Sequence, residues 1–223
     1  MANYHPTPEL LTAFSAGSLQ LSHSLCVSVH IQHCDECRIN LQRLRSIATQ
    51  LFDDQQPASV SDSLRNAVFA QLDEHYSEEN NRENTLENNT PSNIPKALQQ
   101  FVKGDYSSLN WKKVSSAIQS AHLCTDVSGS KVEIMRIKAG GKVPTHTHIG
   151  EEYTLLLEGS FSDEEGLYNQ GDFLVRDGRH KHRPVATKDR DCLCLAVTDA
   201  PIKFTGVFTR LLNPLLQRGY LFQ

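Results

Sequence analysis

A small all-α module followed by an all-β domain is the fold class that this sequence predicts, and three observations predict it. Up to residue 76 the apolar residues recur at three- and four-residue steps. Residues 77–93, SEENNRENTLENNTPSN, contain Leu86 as their one large apolar side chain, so they cannot bury enough surface to offset their ordering entropy and read as a linker. Beyond them the period changes to two: KVEIMRI (131–137) and EYTLLLEG (152–159) alternate or run apolar, punctuated by Gly140-Gly141, Gly166, Gly171 and Gly178. The expected division is a helical domain over 1–76, a flexible linker over 77–93 and a β domain over 94–223.

Each helix has its own signals. The first begins near Thr7-Pro8, with Thr7 as N-cap and Pro8 in the first turn, and runs through Leu10, Leu11 and Phe14 to Gly17. The second runs from Ser22 to about His33 and places Leu25, Cys26, Val29 and His30 together. A third opens around Cys34 to Cys37 and carries a stripe of Ile39, Leu41, Leu44, Ile47, Ala48 and Leu51. After Pro57, Val60, Leu64, Val68, Leu72 and Tyr76 step by four, which makes one narrow apolar stripe on a fourth helix. Three short helices and a separate amphipathic one make a partial bundle.

The chemistry of this half is H-x3-C-x2-C, filled by His30, Cys34 and Cys37, with His5 upstream. A helix end followed by a helix start brings such residues together, and two thiolates with two imidazoles suit tetrahedral zinc. The helix start should also lower the thiol pKa values of Cys34 and Cys37. A redox pair of the thioredoxin kind would need a βαβ context, which this region lacks. His23, Cys26 and His33 read as non-ligands, with Cys26 in the core.

The stretch FSAGSL…VSVHIQHCDECRINL, residues 14–41, resembles the zinc-binding anti-sigma domain of bacterial regulators of extracytoplasmic-function sigma factors. That resemblance implies zinc held by His5, His30, Cys34 and Cys37, and a sigma factor held between the bundle and the fourth helix, through Leu64, Val68 and Leu72.

In the β half, G-x5-H-x-H-x3-E-x6-G runs from Gly140 through His146, His148 and Glu152 to Gly159, and His182 follows Gly171 by eleven residues. Two histidines one residue apart on a strand share a face, Glu152 can reach that face from the next strand, and His182 can complete the set from across a barrel. His180 is an alternative ligand. The two segments resemble both conserved motifs of the cupin superfamily, a double-stranded β-helix or jelly-roll barrel, although Asp177 and Arg179 stand where many cupins have Pro and Gly. Three His and one Glu suit zinc or another divalent transition metal, such as iron, manganese or nickel. LLLEGSFSDEEGLYNQGDF and the terminal RLLNPLLQRGY further resemble the cupin domain of ChrR-type anti-sigma factors. Cys192 and Cys194, on one strand face in DCLCLAV, are a candidate redox sensor or plain core. Arg176, Arg179, Lys181 and Arg183 read as a basic rim, and Cys124 and Trp111 as barrel packing.

Composition limits the functions. The 223 residues hold six cysteines. Neither a membrane-length apolar run nor a signal-peptide pattern is present, so the expectation is a cytoplasmic protein whose cysteines bind metal, sense oxidants or fill the core. Residues 1–95 carry 5 Lys+Arg against 12 Asp+Glu and the remainder 17 against 14, so the acidic half does not favour nucleic acid. Two functions are open at this point. One is an anti-sigma factor whose metal-binding cupin promotes release under stress, which the resemblance implies to be singlet oxygen or organic peroxide. The other is a metal-dependent cupin enzyme, dioxygenase- or isomerase-like, with an N-terminal regulatory domain.

Overall fold

The computed structural model describes residues 2–82, 93–206 and 209–214; the side chains of residues 73–82, most of the expected linker and the end of the RLLNPLLQRGY stretch lie outside that description. Among the described residues four α-helices come first. In α1 (Pro8–Ser15) the Thr7 hydroxyl accepts from the Leu10 N–H at 3.2 Å, and Pro8 occupies the first turn. In α2 (Leu21–His33) Ser22, His23, Leu25, Cys26, Val27, Val29 and His30 are all buried, more than a single stripe accounts for. A helix buried this widely is enclosed by the fold.

The third helix, α3 (Asp35–Asp53, 19 residues), spans the expected stripe through Leu51 and ends two residues beyond it. Leu41 is buried, whereas Ile39, Ile47 and Leu51 are exposed, so the expected stripe enters the core only near its start. α4 (Asp62–Arg82) begins two residues after Val60 and continues past residue 76, where Glu78, Glu79 and Arg82 are polar yet good helix formers. Its Leu64, Val68 and Leu72 are exposed, and so is Phe69, which lies outside the four-residue step.

Among the described residues eleven strands follow: β1 (Lys112–Lys113), β2 (Ile118–Thr125), β3 (Lys131–Ile137), β4 (His146–His148), β5 (Glu152–Glu158), β6 (Ser160–Ser162), β7 (Leu167–Asn169), β8 (Phe173–Arg176), β9 (Val185–Ala186), β10 (Cys192–Thr198) and β11 (Ile202–Phe204). All pairings between them are antiparallel, in a six-stranded sheet ordered β1-β2-β3-β10-β5-β8, a three-stranded sheet β7-β6-β9 and the pair β11-β4. Bridges Lys142 to Val185 and His146 to His182 tie the smaller sheets together. One core cluster joins Ile118, Ile137, Leu156 and Leu174 of the large sheet to Phe161, Tyr168 and Ala186 of the small one, which makes it the interior of a jelly roll. At the turn after β5, Gly159 has φ +70°, and a Cβ there would lie 2.3 Å from the Asp191 carbonyl oxygen, so the glycine of the H-x-H-x3-E-x6-G spacing is sterically required.

Met1–Arg45 and Ile94–Gln223 pack as one compact unit, and Ser46–Asn93 forms a second, so the first unit joins residues from both sides of the composition break. Its second core cluster explains why. Leu25, Val27 and Val29 of α2 pack with Val132 and Ile134, Leu155 and Leu157, and Leu193, Leu195 and Val197, the residues of β3, β5 and β10 that point away from the barrel interior. Ile94, Leu98 and Val102, in the turns before β1, belong to the same cluster. Each such side chain contributes roughly 1.5–3 kcal/mol when fully buried. Half-buried Trp111 and Cys124 pack against it too, as expected of them.

The N-terminus is strapped to the barrel beside β8. Phe173 N–H donates to the Tyr4 carbonyl at 2.9 Å, and fully buried Asp172 accepts from the N–H groups of Asn3 (2.5 Å), Tyr4 (3.2 Å) and Asn169 (2.8 Å). Both carboxylate oxygens are therefore occupied by donors, and an amide would turn an NH2 group onto one of them. Asp172→Asn should cost about 1–3 kcal/mol, read as a shift in the denaturant midpoint; an unchanged midpoint would show that the strap is held by other contacts.

Candidate metal centres and their family

The strap and the α2–α3 junction bring the first set together. Ligand atoms of His5, His30, Cys34 and Cys37 lie within 4.8 Å of one another. His30 Nε2 is 3.3 Å from Cys37 Sγ, and His5 Nδ1 is 3.3 Å from Cys34 Sγ and 3.5 Å from Cys37 Sγ. His30 is fully buried, and its Nδ1–H donates to the Gly171 carbonyl at 2.9 Å, which aims Nε2 at the thiols. Burial lowers His30 to a pKa of about 4, so the ring is a neutral donor at pH 7. The Cys37 thiol departs from expectation. Burial, with Cys34 alongside, pushes Cys37 up to about 12, because desolvation outweighs any benefit from the helix start. Two soft sulfurs and two imidazoles in this cramped space fit a divalent ion that would supply the missing positive charge. His23 and His33 stand outside the set: His33 is exposed, and His23 Nε2 pairs with Asp199 at 3.2 Å.

The second set lies inside the barrel. β4 points His146 and His148 inward, β5 begins at Glu152, and the bridge from His146 to His182 brings in the last member of the cluster. His182 Nε2 is 3.1 Å from His146 Nε2 and 3.2 Å from His148 Nε2, while Glu152 is 3.0 Å from His148 Nδ1. His146 Nδ1 donates to the Pro144 carbonyl at 2.8 Å, and His182 Nδ1 to Asp163 at 3.0 Å, so their Nε2 atoms carry lone pairs. Converging lone pairs repel unless a cation or proton stands between them, and this donor set fits a divalent transition metal. Burial lowers His146 to about 4. Burial would raise Glu152, but the neighbouring imidazoles, His148 first, outweigh it and hold the carboxyl below its ordinary range. His180, the alternative ligand, instead meets Asp177 at 2.9 Å.

Some residues around this set have no counterpart in the sequence reading. Asp163 is buried between His182 and Tyr168, whose hydroxyl donates to it at 3.0 Å. Arg176 is not part of a basic rim: it is buried, donates to the Tyr168 hydroxyl at 2.7 Å and pairs with Glu165 at 3.0 Å. Nothing in local spacing marks either residue, since both reach the set only through the closure of one sheet on the other. Cys192 and Cys194 are buried with their sulfurs 3.5 Å apart. The hydrogen bond between them and burial hold Cys194 well above the ordinary thiol range. A cavity of about 370 Å³ opens beside the set, with His146, Glu152, His182 and Cys194 in its wall.

Leu64, Val68 and Leu72 belong to neither set and stand exposed on α4. Among the described residues no helix is long and apolar enough to cross a membrane.

Comparison with known proteins agrees with this architecture. Residues 99–201 match the ChrR cupin-like domain family. The anti-sigma-E factor ChrR of Cereibacter sphaeroides is 33% identical over 215 residues, which cover 96% of this chain and 98% of that protein. The crystal structure of Rhodobacter sphaeroides SigE in complex with the anti-sigma ChrR superposes with a TM-score of 0.75 at 29% identity, covering 89% of this chain and 99% of the matched one. Similarity that spans 96% of the chain, rather than the barrel alone, places this chain in the family of ChrR-type anti-sigma factors.

Proposed function

We propose that this chain binds and inhibits an extracytoplasmic-function sigma factor, and that its barrel promotes release under oxidative stress. The observation that carries this reading is near full-length similarity to an anti-sigma-E factor, in a chain with a helix whose apolar residues face solvent. The enzyme reading is set aside, because the relatives that match along the whole chain are anti-sigma proteins. In functional terms residues 1–76 supply the partner surface and residues 94–223 the sensor. Leu64, Val68 and Leu72 are the contact residues, and burying such side chains against a partner is the main source of affinity. Replacing any of them with Asp should weaken sigma binding by at least about tenfold, roughly 1.4 kcal/mol, without moving the unfolding midpoint, since all three are exposed. Unchanged binding would move the interface elsewhere.

Zinc at His5, His30, Cys34 and Cys37 is supported by the two-sulfur, two-nitrogen donor set. The ion would stabilise both thiolates and tie the strap to α2 and α3. Purified full-length chain should carry zinc at this set, and Cys34→Ser should lose it together with sigma inhibition. Full inhibition by the metal-free variant would remove zinc from the mechanism.

In the barrel, His146, His148, Glu152 and His182 are read as a centre for zinc or another divalent transition metal. Cys192 and Cys194 are the candidate redox pair beside it. The Asp163 carboxylate fixes the His182 tautomer and ring direction, as carboxylates behind metal-bound histidines commonly do. Asp163→Asn should lower barrel metal affinity about 10–100-fold and leave zinc at the helical set unchanged, measured by metal analysis after graded chelation. Equal loss from both sets would mean that Asp163 supports the fold at large.

A further inference from the structure

We propose that the barrel cavity binds a small organic monoanion with an apolar body, of the carboxylate class, its charged oxygens placed between the His146/His148/Glu152/His182 set and Lys131. The inference rests on reading that set as a metal centre and goes beyond it in assigning a ligand.

Shape and lining come first. A volume of about 370 Å³ lies in the range of small-molecule sites. Met135, Ile137, Val143, Phe161 and Ile202 give it apolar walls, and it reaches the surface at Val114, which is 63% exposed. Its charged lining outside the metal set is Lys131 and Glu133, both from β3. A lysine only 8% exposed is unusual, and burial lowers its pKa while Glu133 nearby works the other way.

Strand register places the groups. Thr198 on β10 pairs with Lys131 on one side and with Glu152 on the other, so these two inward-facing residues stand in one row, two strand spacings or roughly 10 Å apart at their backbones. In the next row Ala196 lies between Glu133 and Thr154, and its small side chain leaves the floor open. A carboxylate directed at this row has the metal set at one end and the ammonium at the other.

Charge decides the class. A divalent ion held by three neutral imidazoles and one carboxylate leaves a local charge of about +1; the buried Asp163 carboxylate behind His182 is balanced by buried Arg176, 3.7 Å away, and Lys131 and Glu133 cancel each other. A buried uncompensated charge is costly, and a single anion neutralises the cavity, whereas a neutral or cationic guest does not. The occupant's apolar body meets the remaining wall. Because β3, β5 and β10 support α2 with their opposite faces, occupancy is registered on the strands that seat the helix.

The test uses full-length chain loaded with Co²⁺, its metal content measured, and titrated with hexanoate by calorimetry while the visible cobalt bands are followed; 1-hexanol is the uncharged control. Saturable one-to-one binding of hexanoate with a band shift, and at least tenfold weaker binding of hexanol, are expected. Lys131→Met should weaken hexanoate at least tenfold with metal content unchanged, Lys131→Arg should retain it, and Ala196→Leu, which fills the floor, should abolish it. Equal affinity for hexanol, or no saturable binding by protein that holds its barrel metal, overturns the proposal and leaves the metal reading intact. If His148→Ala does not lower the metal content, the metal reading fails first and the proposal with it. Should Lys131→Met not fold, Ala196→Leu and the comparison of hexanoate with hexanol decide the matter.

Discussion

The strand β10 has no solvent face, and much of the fold follows from that constraint. Cys192, Cys194 and Ala196 point into the barrel, while Leu193, Leu195 and Val197 point at α2. A strand covered on both sides reads as a continuous apolar run, as CLCLAV does. The barrel therefore cannot exist with its back bare: without α2 and the turns at Ile94 to Val102, the outward residues of β3, β5 and β10 would form an apolar patch far larger than a soluble surface normally tolerates. The same arrangement makes α2 a helix with little free surface and places His30 at its end, where the Gly171 carbonyl aims the ring.

Both candidate metal clusters share an energetic problem. Each crowds polar atoms into a buried site where the protein offers too few opposite charges: two thiols beside two imidazoles in one, three converging imidazole nitrogens in the other. An unpaired buried polar group costs about 1–3 kcal/mol, so a divalent ion at either site would relieve several such penalties at once. The lowered pKa values of His30 and His146 mean that these rings need not shed a proton to accept an ion at neutral pH.

The two side-chain clusters are legible in the sequence because their geometry is local. His30, Cys34 and Cys37 lie within eight residues across one helix junction, and His146, His148 and Glu152 within two strands consecutive in the chain, so spacing suggests which side chains can meet. His5 and His182 were reached through resemblance and hairpin length. What spacing does not state is which face becomes the interior. The alternation of KVEIMRI is plain, yet only closure of the barrel shows that Lys131 and Glu133 turn inward while Val132 and Ile134 meet α2. Arg176 read as rim for the same reason: nothing near it in the chain announces that Tyr168 and Glu165 enclose it. The extent of α3 follows from its apolar stripe, but spacing does not say that Ile39, Ile47 and Leu51 of that stripe stay exposed.

The strap at Asp172 has a consequence for how the molecule comes into being. Asn3 and Tyr4 hold a partner 168 to 169 residues further along, and His5 follows them directly. A ribosome delivers the amino terminus first, so His5 emerges long before the strand beside which it will rest, and α2 emerges before the sheet that covers it. During that interval the first ligand set lacks its seat, and the apolar side of α2 has nothing from the barrel to lie against. Domains that close through contacts this distant in sequence fold slowly. The completed seat of that set therefore belongs only to chains whose synthesis has passed β8, whereas the exposed face of α4 leaves the ribosome well before it.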